Sequence, residues 1–331
     1  MTGALAPVLA AWIASGEPAV LVTVRAARGS TPREAGAALL VGRHDLAGTV
    51  GGGRLEWEAV TRARAVLAGT ASAGPVDFPL GPALNQCCGG IVTLDFRPAD
   101  SMVLDDLRAV EAAAERAHPI VVVFGAGHVG KALVPALAPL PLRVAWIDSR
   151  AGEFPDRPPP GVAIRCVPDP VALVADLPPG SAMIVLTHSH DLDFDLAAAG
   201  LRRGDLAYVG LIGSATKRAK FLRRFRTGGG SADQAGRLIC PIGGEAVRDK
   251  RPPVIAALTT AEVLTTLATH RTACEAPATE PPTRDCIACP PGQRCGDRVG
   301  GGSGGAVIPA AAGAGAEPFS LTGKGVSALT P

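Results

Sequence analysis

The sequence predicts an α/β protein: a small N-terminal α+β domain, then a Rossmann-like doubly wound parallel sheet, then a disordered Gly/Ala/Pro-rich tail. Three observations predict it. From Pro119 onward, short apolar runs alternate with helix-patterned segments, as in a parallel sheet wound through crossover helices. The first of those runs ends in Phe124-Gly125-Ala126-Gly127-His128-Val129-Gly130, a glycine turn leading into a helix. After Arg271 the chain is mostly Ala, Pro, Gly, Ser and Thr, with too few large apolar side chains to offset the entropy of ordering. At 331 residues the chain also exceeds the roughly 250–300 at which one core stops growing, so two cores are expected. The boundaries fall at 1–98 for the N-terminal domain, 99–118 for a connecting helix, 119–270 for the Rossmann-like domain and 271–331 for the tail.

In the N-terminal domain, residues 19–24, 37–41, 46–50 and 91–96 read as strands bounded by turn chemistry. Leu55, Ala59, Val60, Ala63, Val66 and Leu67 recur at helical spacing and predict a helix over 55–67. Leu104, Leu107 and Val110 do the same for the connector. Beyond it, strands are expected at 120–124, 143–147, 162–167, 183–186 and 208–212, with a helix starting at His128.

Composition narrows the function. Charged residues are 19% of the chain and sum to +2, with arginines interleaved among acids, so the clustered basic face of a nucleic-acid binder is missing. The longest apolar runs fall far short of the roughly 20 residues of a spanning helix, so no membrane segment is expected. The N-terminus lacks a basic and apolar leader pattern, which points to the cytoplasm. There the eight cysteines would stay reduced, and they are too unevenly placed for a disulfide scaffold.

The chemistry concentrates at a few segments. Gly125, Gly127 and Gly130 have G-x-G-x-x-G spacing after a strand and before a helix, so backbone N–H groups and the helix N-terminus would face an anion such as a phosphate. Asp148 follows Gly125 by 23 residues, close to the place of an acid that bonds a ribose hydroxyl. His128 would touch a phosphate or metal, or simply face solvent. Two further loops lie at the same strand ends: Thr187-His188-Ser189-His190-Asp191, and Gly213-Ser214-Ala215-Thr216-Lys217-Arg218. His188, His190, Asp191, Asp193 and Asp195 read either as a metal cluster or as a capped helix start, with the capped start favoured.

Cys87 and Cys88 stand between Gln86 and Gly89. A thiolate is a soft metal ligand and a nucleophile able to carry sulfur as a persulfide. A single cysteine is more often a small buried hydrophobe, but two adjacent ones between polar and glycine neighbours favour a function. Cys166 is expected in the core, and Cys240 is open. Among the tail cysteines Cys274, Cys286, Cys289 and Cys295, the Cys-x-x-Cys spacing allows zinc or an iron–sulfur cluster, although incidental thiols are favoured.

In order along residues 15–270, the segments Arg28-Gly29-Ser30-Thr31-Pro32-Arg33-Glu34-Ala35-Gly36, Gly48-Thr49-Val50-Gly51-Gly52-Gly53, Gln86-Cys87-Cys88-Gly89-Gly90, Phe124 to Gly130, Thr187-His188-Ser189-His190 and Tyr208-Val209-Gly210-Leu211-Ile212-Gly213-Ser214 resemble the xanthine dehydrogenase accessory protein family, XdhC and its relative CoxI. That resemblance implies a chaperone that binds molybdenum cofactor (molybdopterin). It would support the cofactor's sulfuration by a cysteine desulfurase and insert it into apo-xanthine dehydrogenase, without oxidising purine itself. It further implies that Cys87, with Cys88 beside it, contacts molybdenum or the cofactor's sulfur, and that Arg33 and Gly51, Gly52 and Gly53 face an anion. Arg54 departs from the pattern, where a smaller residue is expected, and the tail has no counterpart in it. A homodimer is compatible with the sequence, although no pattern calls for one.

Two rival readings come from other classes. The glycine turn and Asp148 suit an NAD(P)-dependent oxidoreductase, but there is no Tyr-x-x-x-Lys pair, and the single tyrosine, Tyr208, falls in a predicted strand. A scaffold that uses the fold only to hold a partner is the third.

Overall fold

The computed structural model describes residues 4–80, 89–244 and 246–275. Contacts divide the chain into two units, Met1–His118 and Pro119–Pro331.

The first unit is built on a five-stranded antiparallel sheet. It comprises β1 (Ala19–Arg28), β2 (Ala38–Gly42), β3 (Leu46–Gly48), β4 (Gly74–Pro79) and β5 (Ile91–Ala99), in the order β3-β2-β1-β5-β4. Alternation sends successive side chains of β1 to opposite faces, and both faces are covered. Val20, Val22 and Val24 pack with Leu55, Ala59 and Ala63 of α2 (Gly53–Leu67). Ala19 and Leu21 pack with Leu5 and Leu9 of α1 (Leu5–Ala14) and with Val103, Leu104 and Leu107 of α3 (Ser101–Ala117). The segment expected as a connector is therefore a core helix of this unit: Asp100 caps it by accepting from the Val103 N–H at 2.9 Å, and its apolar stripe closes one face of the sheet. Two elements had no sequence signal. Helix α1 is apolar nearly all round, and β4 carries Pro75 and Pro79, which suit only the edge position it holds.

The second unit is a six-stranded, all-parallel sheet of β6 (Ile120–Phe124), β7 (Arg143–Asp148), β8 (Ala163–Cys166), β9 (Ala182–Val185), β10 (Tyr208–Leu211) and β11 (Leu238–Ile239). Their order is β11-β10-β9-β6-β7-β8. The order reverses between β6 and β9, which is where ligands bind in such sheets. Val121 and Val123 face α4 (His128–Leu137) and α8 (Pro252–Glu275), while Val122 and Phe124 face α5 (His190–Arg203) and α6 (Ala215–Thr227). A short α7 (Ala232–Gly236) precedes β11.

Two sequence expectations are corrected. The tail boundary at 271 lies inside α8, which runs on to Glu275. Cys166 is exposed, because β8 is the edge strand and Cys166 is its last residue. Cys240, left open by sequence, is buried behind β11. Among the described residues, no helix is long and apolar enough to cross a membrane.

Candidate functional site

The glycine turn connects β6 to α4 at the switch point. Gly125 has φ 125°, which side-chain-bearing residues rarely adopt, and a Cβ there would fall on the Leu186 carbonyl oxygen. A Cβ at Gly130 would fall on the Gly125 carbonyl oxygen, so the helix lies against its own turn. At Gly127, nothing lies within 4 Å of where a Cβ would be, and no side chain caps α4. The helix therefore starts on open backbone, whose N–H groups and dipole favour an anion. His128, its first residue, is exposed. From behind, the Trp146 indole N–H donates to the Gly125 carbonyl at 2.9 Å, and the Gly125 N–H donates to the Ile147 carbonyl at 2.7 Å.

Asp148 ends β7 and is 4% exposed. Its Oδ2 accepts from the Ala126 N–H at 2.6 Å and from Arg150 Nη2 at 3.1 Å. Its Oδ1 accepts from the Arg150 N–H at 2.9 Å and from Arg150 Nε at 3.1 Å. Burial pushes this carboxyl up, but the Arg150 guanidinium and the N–H groups of Ala126 and Arg150 outweigh it and hold it below the usual carboxylate range. An ionised carboxylate offers about four acceptor positions, and four donors of the protein itself fill them. The acid expected to receive a ribose hydroxyl thus ties β7 to the glycine turn. Arg150 in turn donates to Glu153 at 3.0 Å, and Glu153 lies 3.5 Å from Lys131.

The loops after β9 and β10 are bolted together. Asp193, fully buried, accepts from the Thr187 N–H and hydroxyl, each at 2.8 Å, and pairs with Lys217 of α6. Ser189 caps α5 by accepting from the Leu192 N–H at 3.4 Å, and Ser214 caps α6 by accepting from the Lys217 N–H at 3.3 Å. Arg224 donates to Asp191 and Asp195, both at 2.7 Å. The His/Asp segment is thus a capped helix start with its carboxylates paired, and His188 and His190 are exposed. Among the described residues, no group of three or more His, Cys, Asp or Glu gathers as a metal site.

In the first unit, two of the segments singled out by sequence lie together. A Cβ on Gly51 would stand 2.7 Å from Pro32 Cγ, so the 51–53 loop packs beside the exposed Arg33. That loop already carries an anion of its own. Glu56 accepts from the Thr49 hydroxyl, from the Val50 N–H at 3.2 Å and from the Gly52 N–H at 3.3 Å, while the Gly51 N–H donates to the Thr49 hydroxyl oxygen at 3.1 Å. The departing residue, Arg54, pairs with Glu58 one turn on in α2. Gln86, Cys87 and Cys88 lie outside the described residues. Gly90, two residues beyond Cys88, sits tightly packed, since a Cβ there would stand 2.6 Å from the Arg28 and Ser30 carbonyls. Cys286, Cys289 and Cys295 also lie outside.

Sequence reasoning missed Arg150, for which the Asp-x-Arg spacing at the end of β7 was the available signal. It also missed residues 241–244 and 247–250, which wall a cavity beside the turn and have no periodicity to betray them.

A model of the XdhC Rossmann domain matches residues 121–263, and a model of the XdhC and CoxI family matches residues 12–78. An Escherichia coli (strain K12) protein called YqeB is 26% identical over 253 residues; the match covers 75% of this chain but 43% of the relative, so the chain spans less than half of YqeB's length. A Bacillus halodurans protein whose crystal structure is described as a xanthine dehydrogenase superposes with a TM-score of 0.66 at 18% identity, covering 83% of this chain and 98% of that one. At that identity the likeness is one of fold.

Proposed function

Since the chain belongs to the XdhC and CoxI family, we propose that it serves xanthine dehydrogenase maturation as a carrier of molybdenum cofactor. It holds the cofactor as cargo while a cysteine desulfurase exchanges an oxo for a sulfido ligand, and it then delivers the cargo to the apo-enzyme in the cytoplasm. The observation that carries this reading is the uncapped start of α4 at the sheet's switch point, with open space at Gly127. A cofactor ending in a phosphate suits those N–H groups. Gly125 and Gly130 hold the turn open, and Asp148 fixes the Ala126 peptide so that the turn keeps its shape. His128, His188 and Ser214 stand at the exposed mouth of the same strand ends.

In this reading Cys87 and Cys88, which lie outside the described residues, supply thiolates to the molybdenum end of the cargo, and Gln86 and Arg33 contribute polar contacts to it. The sulfur exchange belongs to the desulfurase; this chain binds, shields and releases. The test is retention of cofactor freed from a donor enzyme, measured by gel filtration, followed by reconstitution of apo-xanthine dehydrogenase. Wild type should retain the pterin and restore activity, and the Cys87→Ser, Cys88→Ser variant should lose both. A wild type that retains no pterin and does not raise reconstitution above buffer would refute the carrier role.

A further inference from the structure

Beside the glycine turn, the Rossmann-like unit holds a cavity of about 660 Å³. Its walls are Val129 in the first turn of α4, residues 212–214 after β10, residues 241–244 and 247–250, and Ile255 and Leu258 of α8. That volume is typical of a small-molecule site, and the lining is mainly apolar with a few polar groups, as such sites are. Arg248 and Lys250 stand exposed on its lip, and among the described residues neither has an ion-pair partner, whereas Asp249 between them pairs with Arg251. Val129 belongs both to the cavity wall and to the helix turn that follows Gly127, so the cavity and the anion-facing backbone adjoin.

The other flank of the turn is closed. β7 lies on the opposite side of β6 from β9 and β10, and at its end the Asp148 carboxylate is filled by Ala126 and Arg150. A dinucleotide spanning the turn would place a ribose there. Admitting it means pulling Arg150 off a carboxylate that is 4% exposed, leaving a buried charge without its partner.

We propose that this unit binds a singly phosphorylated planar heterocycle on one side only. The ring occupies the cavity between the end of β10, residues 241–244 and 247–250, and α8, the phosphate meets the start of α4 under the positive field of Arg248 and Lys250, and no adenosine half binds at Asp148. The proposal rests on the carrier reading only for the identity of the ring as a pterin.

Fluorescence titration of the full-length protein tests it, using as probes the oxidised, phosphate-bearing fluorescent pterin derived from molybdenum cofactor, FMN, NADH and NADPH. The variants are Gly127→Glu, Val247→Glu and Leu258→Trp. Gly127 has open space around it and Val247 is exposed, so both carboxylates are introduced without disturbing packing. The pterin phosphate should bind the wild type, and each acidic variant should weaken it by at least about tenfold through like-charge repulsion or an occupied ring site. Phosphatase treatment of the probe should weaken it too, and neither nicotinamide should compete. Competition by NADH or NADPH overturns the one-sided site. If the pterin binds with unchanged affinity to both Val247→Glu and Leu258→Trp, the cavity assignment falls while the carrier reading stands. FMN binding that the same variants abolish, without pterin binding, keeps the cavity and overturns the pterin as its ring. Absence of binding by both the pterin phosphate and FMN overturns the proposal, while the carrier reading stands or falls on retention of the whole cofactor and reconstitution of the apo-enzyme.

Discussion

Three glycines within six consecutive residues, Gly125, Gly127 and Gly130, face three different environments, and substitution should separate them. Alanine at Gly125 must adopt a positive φ and push into the Leu186 carbonyl, which should cost roughly 2–5 kcal/mol. Alanine at Gly127 meets nothing within 4 Å and has φ −72°, so urea unfolding should find it within about 0.5 kcal/mol of wild type. Equal losses at the two positions would contradict the turn geometry. Asp148 makes a prediction about pH. Its folded pKa lies below the unfolded value of about 3.9, so its contribution is complete above that value and is lost as pH falls through the folded pKa. The Asp148→Asn variant should therefore be less stable at neutral pH and show a shallower loss in acid; parallel acid transitions would show that the carboxylate is not linked to folding. The two cysteines described as free should differ in reactivity. Burial pushes the Cys240 thiol up to about 11 despite Lys217 and Arg218 nearby, whereas Cys166 is exposed. Iodoacetamide at pH 7.5 followed by peptide mapping should label Cys166 first.

At the level of elements, α5 and α6 depend on one buried contact. Lys217→Met leaves Asp193 buried with only Thr187 as its donor, and should cost roughly 3–5 kcal/mol. Adding Asp193→Asn should recover part of that loss, and a double variant no better than the single one would show that the pair is not coupled. The elements most legible in sequence were β6, α4 and β7, because an uninterrupted apolar run and a G-x-G-x-x-G turn are local signals that burial on both faces requires. Helix α1, edge strand β4 and the core role of α3 were not legible. Their residues look the same whether they are buried or not, and only the partner surface decides it.

On the scale of the whole molecule, the four hydrophobic clusters among the described residues divide cleanly: two contain only residues below 108, and two contain only residues above 119. Each unit thus has its own core, and a fragment of residues 119–275 should fold alone with a cooperative thermal transition and the far-UV signature of a mixed α/β sheet. A fragment that stays unfolded would show that this core is not self-sufficient. What the sequence determined by itself was the class of fold, the place of the glycine turn and the family, because period-two and helical patterns, glycine spacing and ordered motifs are properties of neighbouring residues. Only the tertiary structure decided which donors reach Asp148, that the His/Asp segment caps a helix and pairs with Lys217 and Arg224, that Glu56 fills the 51–53 loop, and that an apolar cavity opens on one side of the turn. Those outcomes depend on residues brought together from distant parts of the chain, and a carboxylate's role is set by whichever donor arrives at it.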